Sequence, residues 1–498
     1  MPLPAAVWNR HALLTCAEMQ RAEQKTFSAG VPGISLMQRA GESIAGIIRE
    51  KWKPCRVLVL CGPGNNGGDG YIIAEDLRRR DWDVAVAALA MPGSLSGDAA
   101  MAAKNWQGQT IPLEAASIDA DLIVDALFGT GLARPLEGLA FRTVEKLAQT
   151  KIPVIAVDLP SGVSADTGAV LGAAPQAALT VTFFRKKIGH MLLPGKTLCG
   201  ETVVADIGIS EIALDEIQPK TAGNARDLWI GAFPFVTPES HKYARGHALI
   251  AGGAVMTGAA RMAARAAQRI GAGLVTLGAP ESAIPVYSTL ESAIVCHADT
   301  PERWRELLAD PKRNALLIGP GLGLGDRQKA FVLAALETKK PCVIDADALS
   351  NFAGAPGELL SRLHPSCILT PHEGEFARLF GRLDPKRDKL TRARLAAETG
   401  NCIVLIKGAD TVIAEPSGFA IINGNAPPWL ATAGSGDVLA GIILGLVTQH
   451  MPPLLAAAAG VWIHGDAAHR FGPGLIAEDL IETLPAVLRD LPGYSKGV

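Results

Sequence analysis

The sequence predicts two α/β domains within one chain of 498 residues. In each half, short apolar runs rich in Val and Ile alternate with helical segments, which is the pattern of a largely parallel sheet covered by helices. The alternation is lost at residues 206–236, where Pro and Gly accumulate. We therefore predict a domain boundary near residue 220, with domains at 1–220 and 221–498.

Composition excludes several classes of protein. Because 47 Lys and Arg stand against 49 Asp and Glu, bulk charge attracts neither nucleic acid nor an acidic membrane, and small molecules are the expected partners. The eight cysteines form no C-x-x-C pair, which favours reduced thiols in a cytoplasmic protein over zinc or disulfides. No apolar run reaches the roughly 18 residues of a membrane-spanning helix. We also expect a homo-oligomer.

The first half begins with two predicted helices. Thr15 and Glu18 have the spacing of a capping box, and apolar residues recur at helical spacing from Ile34 to about Trp52. Residues 56–61 (RVLVLC) then form a strand pattern, followed by a predicted loop at 62–70 and the helix YIIAEDLRRR. Four further strands follow, at WDVAVAAL, DLIVDALFG, PVIAVDLPSG and ALTVTFF. The first domain is therefore predicted to be doubly wound and Rossmann-like.

The loop at 62–70 satisfies G-x-G-x-x-G after a strand, but the acidic residue expected about 20 positions later is missing, because the second strand ends in AALA. This disfavours a redox NAD domain. The loop remains suited to a phosphate or a ribose, and Asn66 can offer an oxygen to a cation. Asp69 either binds a ligand or caps the following helix.

Polar residues also follow two later strands of this half. Asp125 ends one strand, and Asp158 with Ser161 ends the next. Since ligands bind at the carboxyl ends of strands in open α/β sheets, these loops predict one composed site, with Gly129-Thr130-Gly131 as a further amide loop. The alternative is that each aspartate only forms a turn.

The motifs NNGGDG, DALFGTGLARP and VDLPSG resemble the epimerase domain of bifunctional NAD(P)H-hydrate repair enzymes, over residues 10–215. The resemblance implies a potassium ion on Asn66, Asp125 and Ser161. It implies a catalytic and substrate-binding role for Asp158. It also implies that the hydrated nucleotide contacts two loops, formed by Asn65, Asn66, Gly67, Gly68 and Asp69 and by Gly129, Thr130, Gly131, Leu132, Ala133, Arg134 and Pro135.

The second half repeats the strand–helix alternation, with strands at GHALIAGG, LVTLGAP, ALLIGPGLG, PCVIDADAL, CILTPHEGEF and CIVLIKGADTVI. Three strand-end segments are candidates for ligand binding: 319–323, His372 and 407–411. Each has a structural alternative, as a turn or as a satisfied histidine. His464 and His469 are five residues apart, which does not fit a helical zinc pair, so we interpret both as structural.

Residues 432–445 (TAGSGDVLAGIILG) combine a glycine-rich turn with an apolar helix. We predict a loop at 434–437 and a helix from Val438. A helix start presents free N–H groups and a positive dipole end to a phosphate, and glycine allows close approach. Asp437 beside this anion site can take a proton from a hydroxyl group. The alternative is that Asp437 only caps the helix.

Residues 432–445 resemble the catalytic motif of the ribokinase-like superfamily. Together with GHALIAGG, IGPGLG, VIDADAL, LTPHEGE and IKGADT they resemble the ADP-dependent NAD(P)H-hydrate dehydratase domain, over residues 225–490. The resemblance implies that ADP binds to Lys407, Gly408, Ala409, Asp410, Thr411 and Gly436. We also expect Mg²⁺ to assist the transfer of the phosphoryl group. It implies substrate contacts at Ala259, Gly321, His372 and Asp437, with Asp437 as the catalytic base.

The resulting hypothesis is a bifunctional enzyme that repairs hydrated NADH and NADPH. The first domain interconverts the R and S hydrates, and the second dehydrates the S form with release of AMP and phosphate. Two alternatives remain: an ATP-dependent ribokinase-like kinase with a regulatory first domain, and a non-catalytic nucleotide sensor.

Overall fold

The computed structural model describes residues 4–493 apart from 382, 384 and 385. The chain divides into two compact units, one formed by Trp8–Ala222 and the other by Met1–Val7 together with Gly223–Val498. Among the described residues, no helix is long and apolar enough to cross a bilayer.

The N-terminal half alternates helices and strands. Its helices are α1 (Ala5–Arg10), α2 (Cys16–Ser28), α3 (Gly33–Lys51), α4 (Asn65–Arg78), α5 (Gly97–Asn105), α6 (Gly138–Gln149), α7 (Gly195–Leu198) and α8 (Ile212–Ile217). Its strands are β1 (Arg56–Cys61), β2 (Asp83–Ala88), β3 (Thr110–Pro112), β4 (Leu122–Ala126), β5 (Val154–Val157), β6 (Leu179–Phe183) and β7 (Glu201–Ala205). The short strand β8 (Thr221–Gly223) follows α8.

Strands β1 to β7 form one parallel sheet in the order β3-β2-β1-β4-β5-β6-β7. Val59 at the centre of β1 lies between Val86 of β2 and Val124 of β4. The strand order reverses between β1 and β4, and ligands bind at such a switch point in doubly wound sheets. The prediction of a Rossmann-like first domain is confirmed, and the loops after β1 and β4 meet at this point.

Local signals at the first helices are also confirmed. Thr15 caps α2: its hydroxyl accepts the Glu18 N–H at 3.2 Å, while the Glu18 carboxylate accepts the Thr15 N–H at 2.8 Å. Helix α3 buries one face, which includes Ala40, Ile44 and Ile48. This is the amphipathic pattern that the helical spacing predicts.

The prediction that 62–70 is a loop is wrong, because α4 already begins at Asn65. The first turns of α4 pack against neighbouring chain segments. A Cβ atom at Gly67 would lie 1.9 Å from the Gly62 carbonyl oxygen, and one at Gly68 would lie 2.6 Å from the Met37 sulfur. The glycines therefore allow a close helix start. Asp69 lies in the second turn, so it does not cap the helix.

In the second unit the helices are α9 (Arg226–Trp229), α10 (Thr257–Ile270), α11 (Ile284–Tyr287), α12 (Pro301–Ala309), α13 (Asp326–Glu337), α14 (Asp347–Ser350), α15 (Pro356–Leu360), α16 (Glu373–Phe380), α17 (Lys389–Gly400), α18 (Ser435–Thr448), α19 (Pro453–Phe471) and α20 (Ala477–Arg489). Its strands are β9 (His247–Ala251), β10 (Leu274–Ala279), β11 (Ile294–His297), β12 (Ala315–Ile318), β13 (Cys342–Ile344), β14 (Cys367–Leu369), β15 (Ile403–Ile406), β16 (Val412–Ala414) and β17 (Ala420–Ile422).

The second sheet has the order β11-β10-β9-β12-β13-β14-β15-β16-β17-β8. Strands β11 to β15 run parallel, as predicted, whereas β15, β16 and β17 are antiparallel neighbours. The run CIVLIKGADTVI is therefore two strands joined by a turn at 407–411, which is the structural alternative that we gave for this segment. The turn is closed by Thr411, whose hydroxyl accepts from Gly408 N–H at 3.1 Å and donates to its carbonyl at 2.8 Å.

Helix α18 starts three residues earlier than predicted, at Ser435, with Gly434 as its N-cap. Gly434 has φ 86°, a left-handed conformation that favours glycine. Gly441 and Gly445 lie against α10, where a Cβ atom would approach backbone carbonyl oxygens of Ala263 and Ala267 to 2.3 and 2.7 Å. The small residues thus permit close helix packing, a role that the sequence did not reveal.

Candidate functional sites

The second unit contains a cavity of about 260 Å³ between the β15–β16 turn and the helices α18 and α19. Its wall is formed by Lys407, Gly408, Ala409, Thr411, Ala426, Pro427, Pro428, Leu430, Ala431, Ser435, Gly436, Leu439, Val461 and His464. Five of the six residues predicted to bind ADP are in this set. Asp410 is not, and its carboxylate lies 2.7 Å from the Lys389 ammonium.

Lys407 supplies the positive charge of this cavity. Its Nζ lies 2.8 Å from Oδ1 of the buried Asp345, and a Cβ atom at Gly436 would lie 3.4 Å from Nζ. Burial by itself lowers the pKa of Lys407, but the carboxylates of Asp345, Glu375 and Asp437 outweigh it and raise the pKa above its usual value. The ammonium is therefore charged and held beside the start of α18, which suits a phosphate.

Asp437 lies in the first turn of α18, next to Gly436, and no side chain caps this helix. This geometry disfavours the alternative that Asp437 only caps the helix. Burial and the nearby carboxylates, Asp345 first among them, raise the pKa of Asp437 to about 6, although Lys407 opposes the shift. A carboxylate with such a pKa is ionised at neutral pH and is a competent general base.

The other predicted substrate residues lie on separate elements. Ala259 in α10 donates its N–H to Met256 O at 3.3 Å, and a Cβ atom at Gly321 would lie 2.2 Å from the same oxygen, so these two positions converge. His372 is the N-cap of α16, where Nδ1 accepts the Gly374 N–H at 3.0 Å and the Glu375 carboxylate accepts the His372 N–H at 2.9 Å. The structure thus gives His372 a structural role at this position.

From the sequence we did not identify Asp345 and Glu375, which act on Lys407, and we interpreted His464, which lines the cavity, as structural. Asp345 follows β13 in the segment VIDADAL, and the strand-end argument that we applied to Asp125 would have found it. We interpreted His464 as structural because its separation from His469 does not fit a helical zinc pair. That separation does not indicate whether the side chain lines a cavity between two helices and a turn.

A buried ion pair lies at the centre of the first unit. Nζ of Lys187 is 2.7 Å from Oδ1 of Asp158 and 2.8 Å from the Thr182 hydroxyl, and the Lys187 side chain is only 1% exposed. Thr130 donates its N–H to Oδ2 of Asp158 at 2.9 Å, and its hydroxyl bonds the same oxygen. His190 Nε2 hydrogen-bonds the Asp158 carbonyl at 2.8 Å.

The pKa of Asp158, a member of this pair, and the pKa of the neighbouring Asp69 are shifted in opposite directions. Burial favours a higher pKa for Asp158, but Lys187 and the hydrogen bonds of Thr130 outweigh it, so the pKa of Asp158 lies well below its usual value. Burial raises the pKa of Asp69 well above its usual value, and the charges of Asp158 and Glu23 raise it further. A carboxyl group with a lowered pKa and one with a raised pKa at the same site are typical of acid–base chemistry. Lys187 was not identified from the sequence, since nothing in RKKIGH distinguishes it from a surface lysine.

Of the three predicted potassium ligands, Asp125 and Ser161 are in direct contact, and Asn66 lies against the loop that follows β4. Ser161 donates its hydroxyl to Oδ1 of Asp125 at 2.6 Å and its N–H to Oδ2 at 2.8 Å, and its hydroxyl oxygen accepts the Phe128 N–H at 2.9 Å. Asn66 faces Gly129, where a Cβ atom would lie 2.7 Å from Asn66 Oδ1. The Asn66 amide nitrogen is buried without a hydrogen-bond partner among the described residues.

The donor atoms of Asn66, Asp125 and Ser161 include oxygens of the kind that hard cations prefer, so these residues fit a potassium ion. The remaining predicted contacts of the first unit differ in exposure. Gly67, Gly68 and Gly129 are buried, while Asn65, Gly131, Ala133, Arg134 and Pro135 are exposed and Leu132 is half-buried. The buried glycines allow close packing.

The folds and the two sites define a two-domain α/β enzyme that acts on nucleotides. Residues 33–189 match the family described as YjeF-related protein N-terminus, and residues 247–485 match the family described as NAD(P)H-hydrate dehydratase. The chain is 36% identical to the bifunctional NAD(P)H-hydrate repair enzyme of Salinibacter ruber, over 97% of both chains. It is 38% identical to that of Moorella thermoacetica, over 96% of this chain and 97% of the relative.

The chain belongs to the family of bifunctional NAD(P)H-hydrate repair enzymes, which confirms the family predicted from its motifs. A crystal structure of the ADP/ATP-dependent NAD(P)H-hydrate dehydratase from Bacillus subtilis, co-crystallised with ATP/Mg²⁺, is similar to part of the chain. It is 30% identical, covers 54% of this chain and 98% of its own, and has a TM-score of 0.48.

Proposed function

We propose that the second unit dehydrates the S epimer of hydrated NADH or NADPH at the expense of ADP. The observation that carries this proposal is the position of Asp437, a carboxylate with a pKa of about 6, beside Lys407 at the start of α18. A base next to an anion site can activate a hydroxyl group for attack on a phosphate. The hydrated dihydropyridine ring carries such a hydroxyl at C6.

The reaction follows from this arrangement. Asp437 takes the proton of the C6 hydroxyl while its oxygen attacks the β-phosphorus of ADP, and AMP leaves. The C6–O bond of the new phosphate ester then breaks, the lone pair of the ring nitrogen stabilises the carbon, and loss of a proton from C5 restores the double bond. Phosphate leaves far more readily than hydroxide. Lys407 and the N–H groups at Ser435 and Gly436 stabilise the negative charge that develops on the phosphoryl oxygens.

Magnesium is part of this proposal. Carboxylate oxygens are the ligands that Mg²⁺ prefers, and Asp345, Asp347 and Glu375 all act electrostatically on Asp437, so one or more of these carboxylates would contact the ion. When bound with the nucleotide, the ion would neutralise phosphate charge. The roles of Asp437 and Lys407 stay as described.

For the first unit we propose interconversion of the R and S hydrates, with Lys187 and Asp158 as the proton-transfer pair. Inversion at C6 proceeds when the C6 hydroxyl loses a proton, the C6–N1 bond breaks and N1 gains a proton; reclosure on the other face completes the exchange. Lys187 donates and recovers a proton, and the Asp158 carboxylate holds its ammonium group in place. Asp69, whose pKa is raised by burial and by the charge of Asp158, is a second candidate for proton transfer.

Potassium belongs to the same proposal. Asn66, Asp125 and Ser161 would hold the ion, and the ion would supply a positive charge that orients anionic parts of the nucleotide. The unpartnered Asn66 amide nitrogen at the β1–β4 switch point is a donor, so it supports an acceptor atom of the nucleotide there and not the ion itself. The proton-transfer roles of Lys187 and Asp158 do not depend on it.

One assay tests the central proposal: release of AMP and phosphate from ADP, measured with purified S and R hydrates. The S hydrate should be converted at once, and the R hydrate only after epimerisation. A stable phosphorylated product made from ATP would instead indicate the kinase alternative. No turnover with either hydrate would contradict the proposal.

We further propose epimerase activity within 1–220 and dehydratase activity within 221–498, in a cytoplasmic homo-oligomer. The eight unpaired cysteines support a reducing compartment. Light scattering of the full chain measures the oligomeric state directly, and a mass equal to one chain would contradict it.

A further inference from the structure

His464 has an unused polar atom in the wall of the nucleotide cavity. It lies on α19, is 6% exposed, and lines the cavity together with Lys407 and Ser435. Its Nε2 atom is buried and has no hydrogen-bond partner within residues 4–381, 383 and 386–493. Buried polar atoms are almost always satisfied in native proteins, so an unpartnered one beside a cavity points to a ligand.

The protonation state of the His464 ring determines whether Nε2 donates or accepts a hydrogen bond from a ligand. Burial, with the charge of Lys407 acting in the same direction, lowers the pKa of His464 to about 4, so the ring is neutral at physiological pH. The neutral ring carries one proton, and the Ser435 backbone favours the protonated ring. With that proton on Nδ1, the unpartnered Nε2 is an acceptor.

Because Nε2 is an acceptor, it can pair only with a hydrogen-bond donor of a nucleoside diphosphate. The phosphate oxygens are acceptors and do not pair with Nε2. The donors are the two ribose hydroxyls and the amino group of adenine. His464 lies within electrostatic reach of Lys407 and bonds Ser435, both of which belong to the phosphate end of the cavity. The ribose is the part of the nucleotide next to the phosphates.

We propose that Nε2 of His464 accepts a hydrogen bond from a ribose hydroxyl of the nucleotide, and that the second unit therefore selects ribonucleotides over deoxyribonucleotides. This inference rests on the proposed nucleotide-binding function of the cavity. Pro427, Pro428 and Leu430 form an apolar wall that suits the face of a base beyond the ribose.

Binding of ADP, 2′-deoxy-ADP, 3′-deoxy-ADP, inosine diphosphate and pyrophosphate to the full chain tests the proposal by calorimetry, without any hydrate present. The wild type should bind ADP about five- to tenfold more tightly than one of the two deoxynucleotides, the loss expected for one buried hydrogen bond. His464→Phe keeps the ring volume and should lose this preference. His464→Gln retains an acceptor and should restore part of it.

His469→Phe is the matched control, since His469 is an exposed residue of the same helix, and it should bind all five compounds as the wild type does. If the wild type binds ADP but shows no preference over either deoxynucleotide, the inference is wrong while the proposed function stands. Weaker pyrophosphate binding in His464→Phe would assign Nε2 to the phosphates instead. A changed preference between ADP and inosine diphosphate would assign it to adenine. No binding of ADP to the wild type would overturn both the inference and the proposed function.

Discussion

Nζ of Lys407 lies 2.8 Å from Oδ1 of Asp345, and this pair joins the β15–β16 turn to the end of β13. Asp345 holds the lysine at the cavity that Gly436 borders, and it also raises the pKa of Asp437. One carboxylate therefore influences both the phosphate-binding charge and the proposed base.

Asp437→Asn should abolish AMP release and leave the fold intact. The amide keeps the size of the side chain but removes the base, and the loss of a general base costs about 10² to 10⁴ in rate. ADP affinity should be retained, because Lys407 and the start of α18 remain. Turnover with the S hydrate, ADP affinity and melting temperature are measured on one preparation. Turnover near that of the wild type would show that Asp437 is not the base.

The dehydratase rate should depend on pH through the same residue. Asp437 acts when ionised, and its pKa of about 6 means that kcat/KM for the S hydrate falls below pH 6 and levels off above it. Initial AMP release between pH 5 and 8, with ADP affinity measured at each pH as the control, gives the profile. A rate that is constant across pH 6 would contradict the assignment.

Lys187→Met should stop epimerisation and destabilise the first unit. It leaves the buried Asp158 carboxylate without its counter-charge, which costs about 3 to 5 kcal/mol. Lys186→Met is the matched control: burial already lowers the pKa of Lys186, so loss of its charge should cost little. Urea unfolding and conversion of the R hydrate are the measurements.

The double variant Lys187→Met with Asp158→Asn should be more stable than Lys187→Met, since no unpaired charge remains. The pKa of Asp158 is lowered in the folded chain, so its contribution to stability is complete above the ordinary value of 3.8 and is lost as pH falls below it. If the single and double variants are equally stable, the pair does not act as described.

Asp125→Asn should abolish epimerisation and preserve dehydration of the S hydrate. Burial raises the pKa of Asp125, which the Ser161 hydrogen bonds partly offset, and the amide removes the charge that a cation would need. Epimerase activity is measured in potassium and in a large organic cation. Activity that is indifferent to this exchange would show that the potassium assignment is wrong.

Gly441→Ala should destabilise the second unit by about 1 to 3 kcal/mol, because overpacking forces helices apart. The new Cβ atom would lie 2.3 Å from the Ala263 carbonyl oxygen. Gly258→Ala in α10 is the control, since a Cβ atom there meets open space and Ala favours helix. Urea midpoints that fall equally for both variants would contradict the packing argument.

The sequence by itself determined the fold class and most of the candidate positions. Strand runs and their loops carry local signals, because a buried parallel strand must be apolar and its carboxyl end must turn. Asp125, Asp158 and Lys407 were found at such ends, and Asp437 was found at a glycine-rich helix start. Caps such as Thr15 and Glu18 are likewise decided within a few residues.

Only the tertiary structure decided which groups meet and in which state of ionisation. Lys187 pairs with Asp158 across 29 positions and Lys407 with Asp345 across 62, and no local pattern marks either pair. Helix starts were placed too late at Asn65 and Ser435, because glycines that look like a loop in sequence serve close packing in three dimensions. His464 became a candidate only when two helices and a turn enclosed a cavity around it, since burial and an unpartnered nitrogen are properties of the folded chain.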